Sequence, residues 1–220
     1  MPDRPSNWNN AISDDGPTDE QTVRRLYDEF ASEYNRTVVD WGYDAPEQAA
    51  QYLGQYVART APVLDAGCGT GLTGQALNAA GFTHITGTDL SADSIAIAKG
   101  TPFYRAVLAL NLSEPLPFQD QQFAGAVSIG VFTYIDDLEP VLSELIRVTS
   151  PGGIIVFTQR QDLYVERDQH ALFSALRAEH GIEQIESTEP RPYLPGNPSF
   201  AEKIGIHYFV WRVSESVAKE

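Results

Sequence analysis

At 220 residues with 42% apolar side chains, the chain suits one compact domain with a sizeable core, and no apolar run approaches the ~20 residues of a membrane span. Its formal charge of −15, with only Lys99, Lys203 and Lys219 as lysines among fifteen basic residues, argues against nucleic acid as a partner, because phosphate binding needs clustered Lys and Arg. The single cysteine, Cys68, excludes an internal disulfide and a cysteine-based metal cluster; with no signal-like opening stretch, a cytoplasmic protein without a membrane partner is expected.

Residues 1–17 are polar and rich in Asn, Asp and Pro, which reads as a flexible tail. A helix is expected from Thr18, where Thr18 and Gln21 fit a capping box, to about Val39, with Val23, Leu26, Phe30 and Tyr34 at helical spacing. A second helix starts at Pro46, presents Ala49, Ala50, Leu53, Tyr56 and Val57, and closes before Pro62. Residues 18–61 thus form an N-terminal helical segment ahead of an α/β domain over 62–220.

From Pro62 the chain alternates strand-like and helix-like runs, the sequence form of a parallel sheet with helices on both faces. Strands are expected at Val63–Ala66, His84–Asp89, Tyr104–Leu110, Gly125–Ile129 and Ile154–Gln159. Helices are expected at Gly71–Ala80, stopped by Gly81, at a run capped by Ser91 and ended by Gly100, and at Leu138–Val148. No internal repeat or low-complexity tract interrupts this order.

Chemistry concentrates at the first strand-to-helix turn, Val63-Leu64-Asp65-Ala66-Gly67-Cys68-Gly69-Thr70-Gly71. Glycines at 67, 69 and 71 let the backbone turn sharply and let a ligand approach main-chain atoms without meeting a β-carbon. Asp89 ends the next strand, so in a doubly wound sheet its carboxylate lies beside that turn and can accept hydrogen bonds from both hydroxyls of a ribose. Gly69 to Gly74 also matches the G-x-G-x-x-G dinucleotide pattern, so an NAD(P)-dependent oxidoreductase is a rival reading. Asp65 weighs against it: an acid beside the turn repels a diphosphate but can help hold an ammonium, directly or through water. No Tyr has a Lys four positions later, so one common dehydrogenase pairing is missing as well.

Asp65-Ala66-Gly67-Cys68-Gly69-Thr70-Gly71 resembles the glycine-rich first motif of class I S-adenosylmethionine-dependent methyltransferases. Asp89-Leu90-Ser91 resembles the acidic second motif, Asn111-Leu112 with Pro115-Leu116-Pro117-Phe118 the adenine-side segment, and Pro151-Gly152-Gly153 the turn before strand five. Gly42-Tyr43 with Pro46, Leu72-Thr73-Gly74 and Gly130-Val131-Phe132 are similar to the Williams–Beuren-region methyltransferase-like group. The resemblance implies a Rossmann-like, seven-stranded, mostly parallel sheet whose last strands are Ile182–Thr188 and an antiparallel Gly205–Val213. It also implies a helical lid over 18–61 and S-adenosyl-L-methionine as cofactor, with Asp65, Gly67, Cys68, Gly69, Gly71, Asp89, Leu90, Asn111, Leu112, Ile129 and Tyr34 around it. Asn111 stands where relatives usually carry Asp; its carbonyl can still accept from an adenine amino group, without the charge. A non-catalytic cofactor-binding module on the same fold is the second rival.

Beyond these motifs, Cys68 reads as a small packed residue within the turn, and His84, His170, His180 and His207 show no metal-ligand spacing. His207 falls on a late strand where a proton acceptor could face an acceptor, but no catalytic residue is assigned. Tyr27, Tyr34 and Tyr43 lie in the lid segment, where a ring near a sulfonium gains cation–π attraction. Acceptor-side walls are expected from Gly130-Val131-Phe132-Thr133-Tyr134 and from the proline-stiffened stretch Arg191 to Phe200, with Phe132 and Tyr193 in contact. That space suits a small, partly apolar acceptor molecule.

Overall fold

A computed structural model describes residues 35–197, 201 and 203–215. The tail over 1–17, most of the first expected helix, Tyr27, Tyr34, Pro198 and Phe200 lie outside the described residues. Residues 35–40 are helical, as the end of that helix should be.

Five strands pair in parallel: β1 (Val63–Ala66), β2 (Ile85–Asp89), β3 (Ala106–Ala109), β4 (Phe123–Ser128) and β5 (Thr149–Arg160). β6 (Glu183–Ser187), β7 (Arg191–Pro192) and β8 (Gly205–Arg212) complete one sheet. Its order is β3-β2-β1-β4-β5-β8-β6, with β8 antiparallel to both neighbours and β7 paired to the start of β8. The sheet is therefore Rossmann-like and mostly parallel, but it has eight strands where seven are expected. The extra strand is a two-residue pairing of Arg191 and Pro192 with Ile206 and Gly205. Pro190 and Pro192 offer no ladder N–H, which keeps it short.

Helices cover both faces: α1 (Ala45–Gly54), α2 (Leu72–Ala79), α3 (Ala92–Lys99), α4 (Leu138–Val148), α5 (Gln161–Glu166) and α6 (Gln169–His180). Period-two burial along β5 divides the core. Ile155 and Phe157 point to the layer holding Leu142, Leu145 and Phe173, whereas Ile154 and Val156 point to the layer holding Ala49, Leu53 and Leu77. Helix α1, inside the N-terminal segment, packs directly on the sheet through Ala49, Ala50 and Leu53. α4 begins at Asp137, whose side chain accepts from Glu139 N–H, and α3 begins at Ser91, whose hydroxyl accepts from Ser94 N–H.

Two helices, α5 and α6, fall outside the expected alternation. Their sequence is rich in Gln, Glu, Arg and His, and tertiary packing of Leu163, Phe173 and Leu176 outweighs the weak local pattern. β3 is also shorter than expected, because Tyr104 leaves the ladder and its ring turns under α2.

Phe157 is the hub of the larger core layer. Its ring meets Phe209 stacked at 5.0 Å and Trp211 and Phe173 edge-on at 4.9 and 5.4 Å. Phe157→Ala should destabilise the fold by about 3–5 kcal/mol in urea unfolding, the usual cost of an aromatic cavity. A loss below about 1 kcal/mol would show that the aromatic cluster is not the mechanical centre of this face.

Candidate functional site

The glycine turn is built by backbone pairing before any side chain acts. Gly67 N–H and Cys68 N–H both donate to Thr88 carbonyl at 2.8 Å, bending the chain across the carboxyl end of β2. Gly67 and Gly69 hold φ of +82° and +52°, and Gly71 at +103° opens α2, angles that side-chain-bearing residues rarely adopt. A side chain at Gly67 would strike Val131 at 2.3 Å, so the turn and the β4 loop meet only because that β-carbon is missing.

Asp89 fastens this turn. Its Oδ2 accepts from Gly69 N–H at 2.7 Å and its Oδ1 accepts from Ser91 N–H at 2.9 Å. Asn111 Oδ1 accepts from Ser113 N–H at 3.0 Å, which folds the chain after β3 beside the same opening. Thr70 Oγ1 donates to Asn35 Oδ1, tying the N-terminal helical residues to the turn.

A cavity of about 260 Å³ lies at the carboxyl ends of β1, β2 and β4. Gly67, Cys68, Gly69, Asp89, Leu90, Asn111, Leu112 and Ile129, all expected around a cofactor, line it. Asp65 and Gly71 do not. Asp65 is fully buried behind the turn, and Gly71 serves as the left-handed N-cap of α2. Tyr34 lies outside the described residues.

The acceptor side departs from expectation at two positions. Gly130, Val131 and Tyr134 line the cavity, but Phe132 is fully buried and tilts against Phe157 at 5.4 Å, since the 3₁₀ turn Phe132–Tyr134 rotates that ring into the core. Tyr193 stands behind the wall: its ring meets Tyr43 edge-on at 5.6 Å, and Tyr43 is the one exposed to the cavity. Val38, Trp41, Leu194 and Ile204 pack together beneath these rings, so the N-terminal residues and the proline-rich connection form one unit. His207 faces away from this opening, with Nδ1 2.9 Å from Thr188 carbonyl and its ring near Tyr164.

Sequence reasoning passes over Tyr104 and Arg160. Tyr104 Oη donates to Asp65 Oδ2 at 2.7 Å and accepts from Gly74 N–H at 3.0 Å. Glycines at 74 and 87 were the available signal, because their missing side chains leave a slot for a ring. Arg160 ends β5, is 2% exposed, and pairs with Asp162 through Nε at 3.1 Å and Nη2 at 2.5 Å.

Electrostatics follow from this burial. Desolvation pushes the Asp65 carboxyl up to about 7; the Tyr104 hydrogen bond opposes that rise and the Asp89 charge adds to it. Burial, then the charges of Asp65 and Asp89, push the Cys68 thiol far above the usual thiol range. Among the described residues, no group of three or more His, Cys, Asp or Glu is placed to hold a metal ion, and no helix is long and apolar enough to cross a membrane.

Residues 64–157 match the methyltransferase domain family. The chain is 33% identical over 141 residues to human methyltransferase-like protein 27, covering 61% of this chain and 56% of that protein. It is also 33% identical over 140 residues to the malonyl-[acyl-carrier protein] O-methyltransferase of Erwinia billingiae, covering 63% and 53%. The chain thus spans about half the length of these curated relatives. Among solved structures, the [4+2]-cyclase SpnF superposes with a TM-score of 0.69 at 18% identity, covering 91% of this chain and 97% of that one. A geranyl diphosphate methyltransferase in complex with S-adenosylmethionine superposes with a TM-score of 0.59 at 15% identity, covering 76% and 85%. Residues 64–157, with the glycine turn and the Asp89 clasp inside them, match a methyltransferase domain, and these relatives support a class I S-adenosylmethionine-dependent methyltransferase. Its likeness to methyltransferase-like protein 27 agrees with the narrower resemblance carried by Gly42-Tyr43 and Gly130-Val131-Phe132.

Because Cys68 is buried and its thiolate is disfavoured, the native protein should resist a thiol-specific reagent at pH 8 and react fully in guanidinium. Rapid native labelling at a rate like that of free cysteine would contradict the closed packing of the turn.

Proposed function

We propose that this chain transfers a methyl group from S-adenosyl-L-methionine to a small, partly apolar acceptor. The observation that carries this reading is one cavity lined together by the glycine turn, Asp89, Tyr43, Gly130 and Tyr134. The residues fit the cofactor: a side chain at Gly69 would meet no protein atom within 4 Å, and Asp65 Oδ1 is a buried acceptor without a partner among the described residues. When bound, the cofactor supplies a methyl made electrophilic by its sulfonium.

What this chain's residues contribute is grip, alignment and dryness. Asp89 accepts from the ribose hydroxyls while keeping its bonds to the turn, and the Asn111 amide meets the adenine edge with Leu90 and Leu112 as apolar cover. Tyr43, Pro46, Tyr134 and Ile135 offer the acceptor aromatic and aliphatic contact near the turn, the arrangement in-line transfer requires. Residues 18–61 act as the lid, supported by the link from Asn35 to Thr70 and by Tyr43 on the cavity wall. A relative named as a 24-methylenesterol C-methyltransferase, 30% identical over 146 residues, supports a small, partly apolar substrate.

Calorimetry with S-adenosylhomocysteine and NAD, followed by isotopically labelled cofactor in a metabolite extract, tests this reading. Binding of S-adenosylhomocysteine and a labelled small product are expected; binding of NAD alone would replace it with an oxidoreductase, and cofactor binding without any labelled product would favour a binding module. Asp89→Ala should weaken S-adenosylhomocysteine binding by about 2–4 kcal/mol, roughly 30- to 1,000-fold, through loss of charge-assisted hydrogen bonds. An unchanged dissociation constant would remove Asp89 from the ribose. Tyr134→Ala should depress methyl transfer at least about tenfold with cofactor affinity nearly intact, because this cavity-lining ring is assigned to the acceptor in the proposed reading. Equal loss of both would place the ring on the cofactor instead.

A further inference from the structure

The slot beneath the glycine turn is shaped for one ring. The Tyr104 side chain enters from the chain just before β3 and lies where a β-carbon at Gly74 would be, tight against the position of one at Gly87 and in ordinary contact range of one at Gly71. A β-carbon at Gly74 would sit 2.2 Å from Tyr104 Cζ, one at Gly87 3.0 Å from Cε1, and one at Gly71 3.4 Å from Cε2. Gly87 is also the β2 partner of Asp65, so the missing side chain on one strand admits the ring that reaches the acid on the next. At the end of this path the hydroxyl makes two bonds with opposite roles, donating to Asp65 and accepting from the Gly74 amide in the first turn of α2. That amide has no partner within its own helix at this position, so the hydroxyl also satisfies a helix start.

We propose that Tyr104 is the positioning residue of the cofactor turn, joining the Asp65 carboxyl group to the start of α2 so that the acid, behind the cavity wall, is held in line with the ammonium end of the cofactor and reaches it through water. This rests on the reading of the cavity as an S-adenosylmethionine site.

The groups that face Asp65 leave Tyr104 as its main support. Cys68 comes from the turn and Asp89 from the end of β2, and β4 brings the apolar Val127 opposite it. Asp89 and burial favour the protonated acid, whereas the Tyr104 hydrogen bond favours the carboxylate. Tyr104 remains a donor throughout, since burial and the Asp65 charge push its phenol far up. An ammonium binds the ionised acid better, so cofactor affinity should rise as pH rises through about 7 and fall as the acid takes up its proton below it.

Tyr104→Phe keeps the ring in its slot and removes both hydrogen bonds. Calorimetric titration with S-adenosylhomocysteine between pH 6 and 8.5 should give about tenfold weaker affinity for this variant at pH 7. The midpoint of the pH dependence should move upward by about one pH unit, because the carboxylate has lost its donor. Asp65→Asn, which retains an acceptor for the Tyr104 hydroxyl, should abolish the pH dependence, and adding Tyr104→Phe to it should weaken binding much less than in the wild type. If Tyr104→Phe lowers only the melting temperature and leaves affinity and midpoint unchanged, the tyrosine is a packing residue and the proposal falls. Should that variant fail to fold, persistence of the pH dependence in Asp65→Asn overturns it equally. Wild-type protein that binds no S-adenosylhomocysteine would instead bring down the cofactor reading on which it rests.

Discussion

Three hydrogen bonds hold the first strand-to-helix turn onto the end of the second strand, and the whole site depends on them. Thr88 carbonyl takes Gly67 N–H and Cys68 N–H, and Asp89 Oδ2 takes Gly69 N–H. A turn closed this way spends backbone donors on protein that a dinucleotide turn would aim at a pyrophosphate. The acid that clasps Gly69 also faces the cavity, so one carboxylate both shapes the turn and presents itself to a hydroxylated ligand. Fold and chemistry therefore share an atom, and substitutions at Asp89 act on both.

Local chemistry in the sequence was enough to locate most of this. β1 and α4 match their expected bounds to the residue, because Val63–Ala66 is a short buried run between Pro62 and glycine, and Leu138–Val148 carries a clean apolar stripe behind an Asp cap. Eight of the residues expected at the cofactor line the cavity, since glycine spacing and strand ends are readable in one dimension. What the sequence hides is rotation and long-range fit. Phe132 and Tyr134 are two positions apart in one tight turn, and only the turn's geometry decides that the tyrosine reaches the cavity and the phenylalanine the core. Tyr104 meets Asp65 across 39 positions, and α6 becomes a helix through contacts with distant layers.

The walls of the cavity differ in how tightly the fold determines them. At the turn, glycines, Thr88 and Asp89 are fixed by the parallel pairing of β1 with β2, which brings Ala66 opposite Thr88. Elsewhere on the wall, Tyr43 comes from the N-terminal segment and Tyr134 from the loop after β4, with Tyr193 of the proline-rich connection packed behind Tyr43. Tyr43 and Tyr193 meet through side-chain packing around Trp41 and Leu194, and Tyr134 joins them from its own loop. Loops carried on a rigid sheet can change without cost to its ladder, so this is where relatives can diverge in acceptor.

The likeness to SpnF makes that division concrete. A protein described as a [4+2]-cyclase shares this fold over nearly its full length, so the sheet by itself does not dictate methyl transfer. The chemistry must be decided where the loops converge, and here the convergence is aromatic and tight: a β-carbon at Gly130 would lie 2.8 Å from Tyr43 Oη and 3.7 Å from Tyr193 Oη. Glycine at that position lets two phenol hydroxyls approach the loop backbone at the head of β4. Behind them the buried Arg160 at the end of β5 pairs with the partly exposed Asp162, placing a compensated charge pair near the Tyr193 and Tyr134 rings. An arginine already matched by its own carboxylate adds little net attraction for an anion. On the proposed methyl-transfer reading, that wall therefore suits a neutral or weakly polar acceptor with one apolar face better than a strongly anionic one.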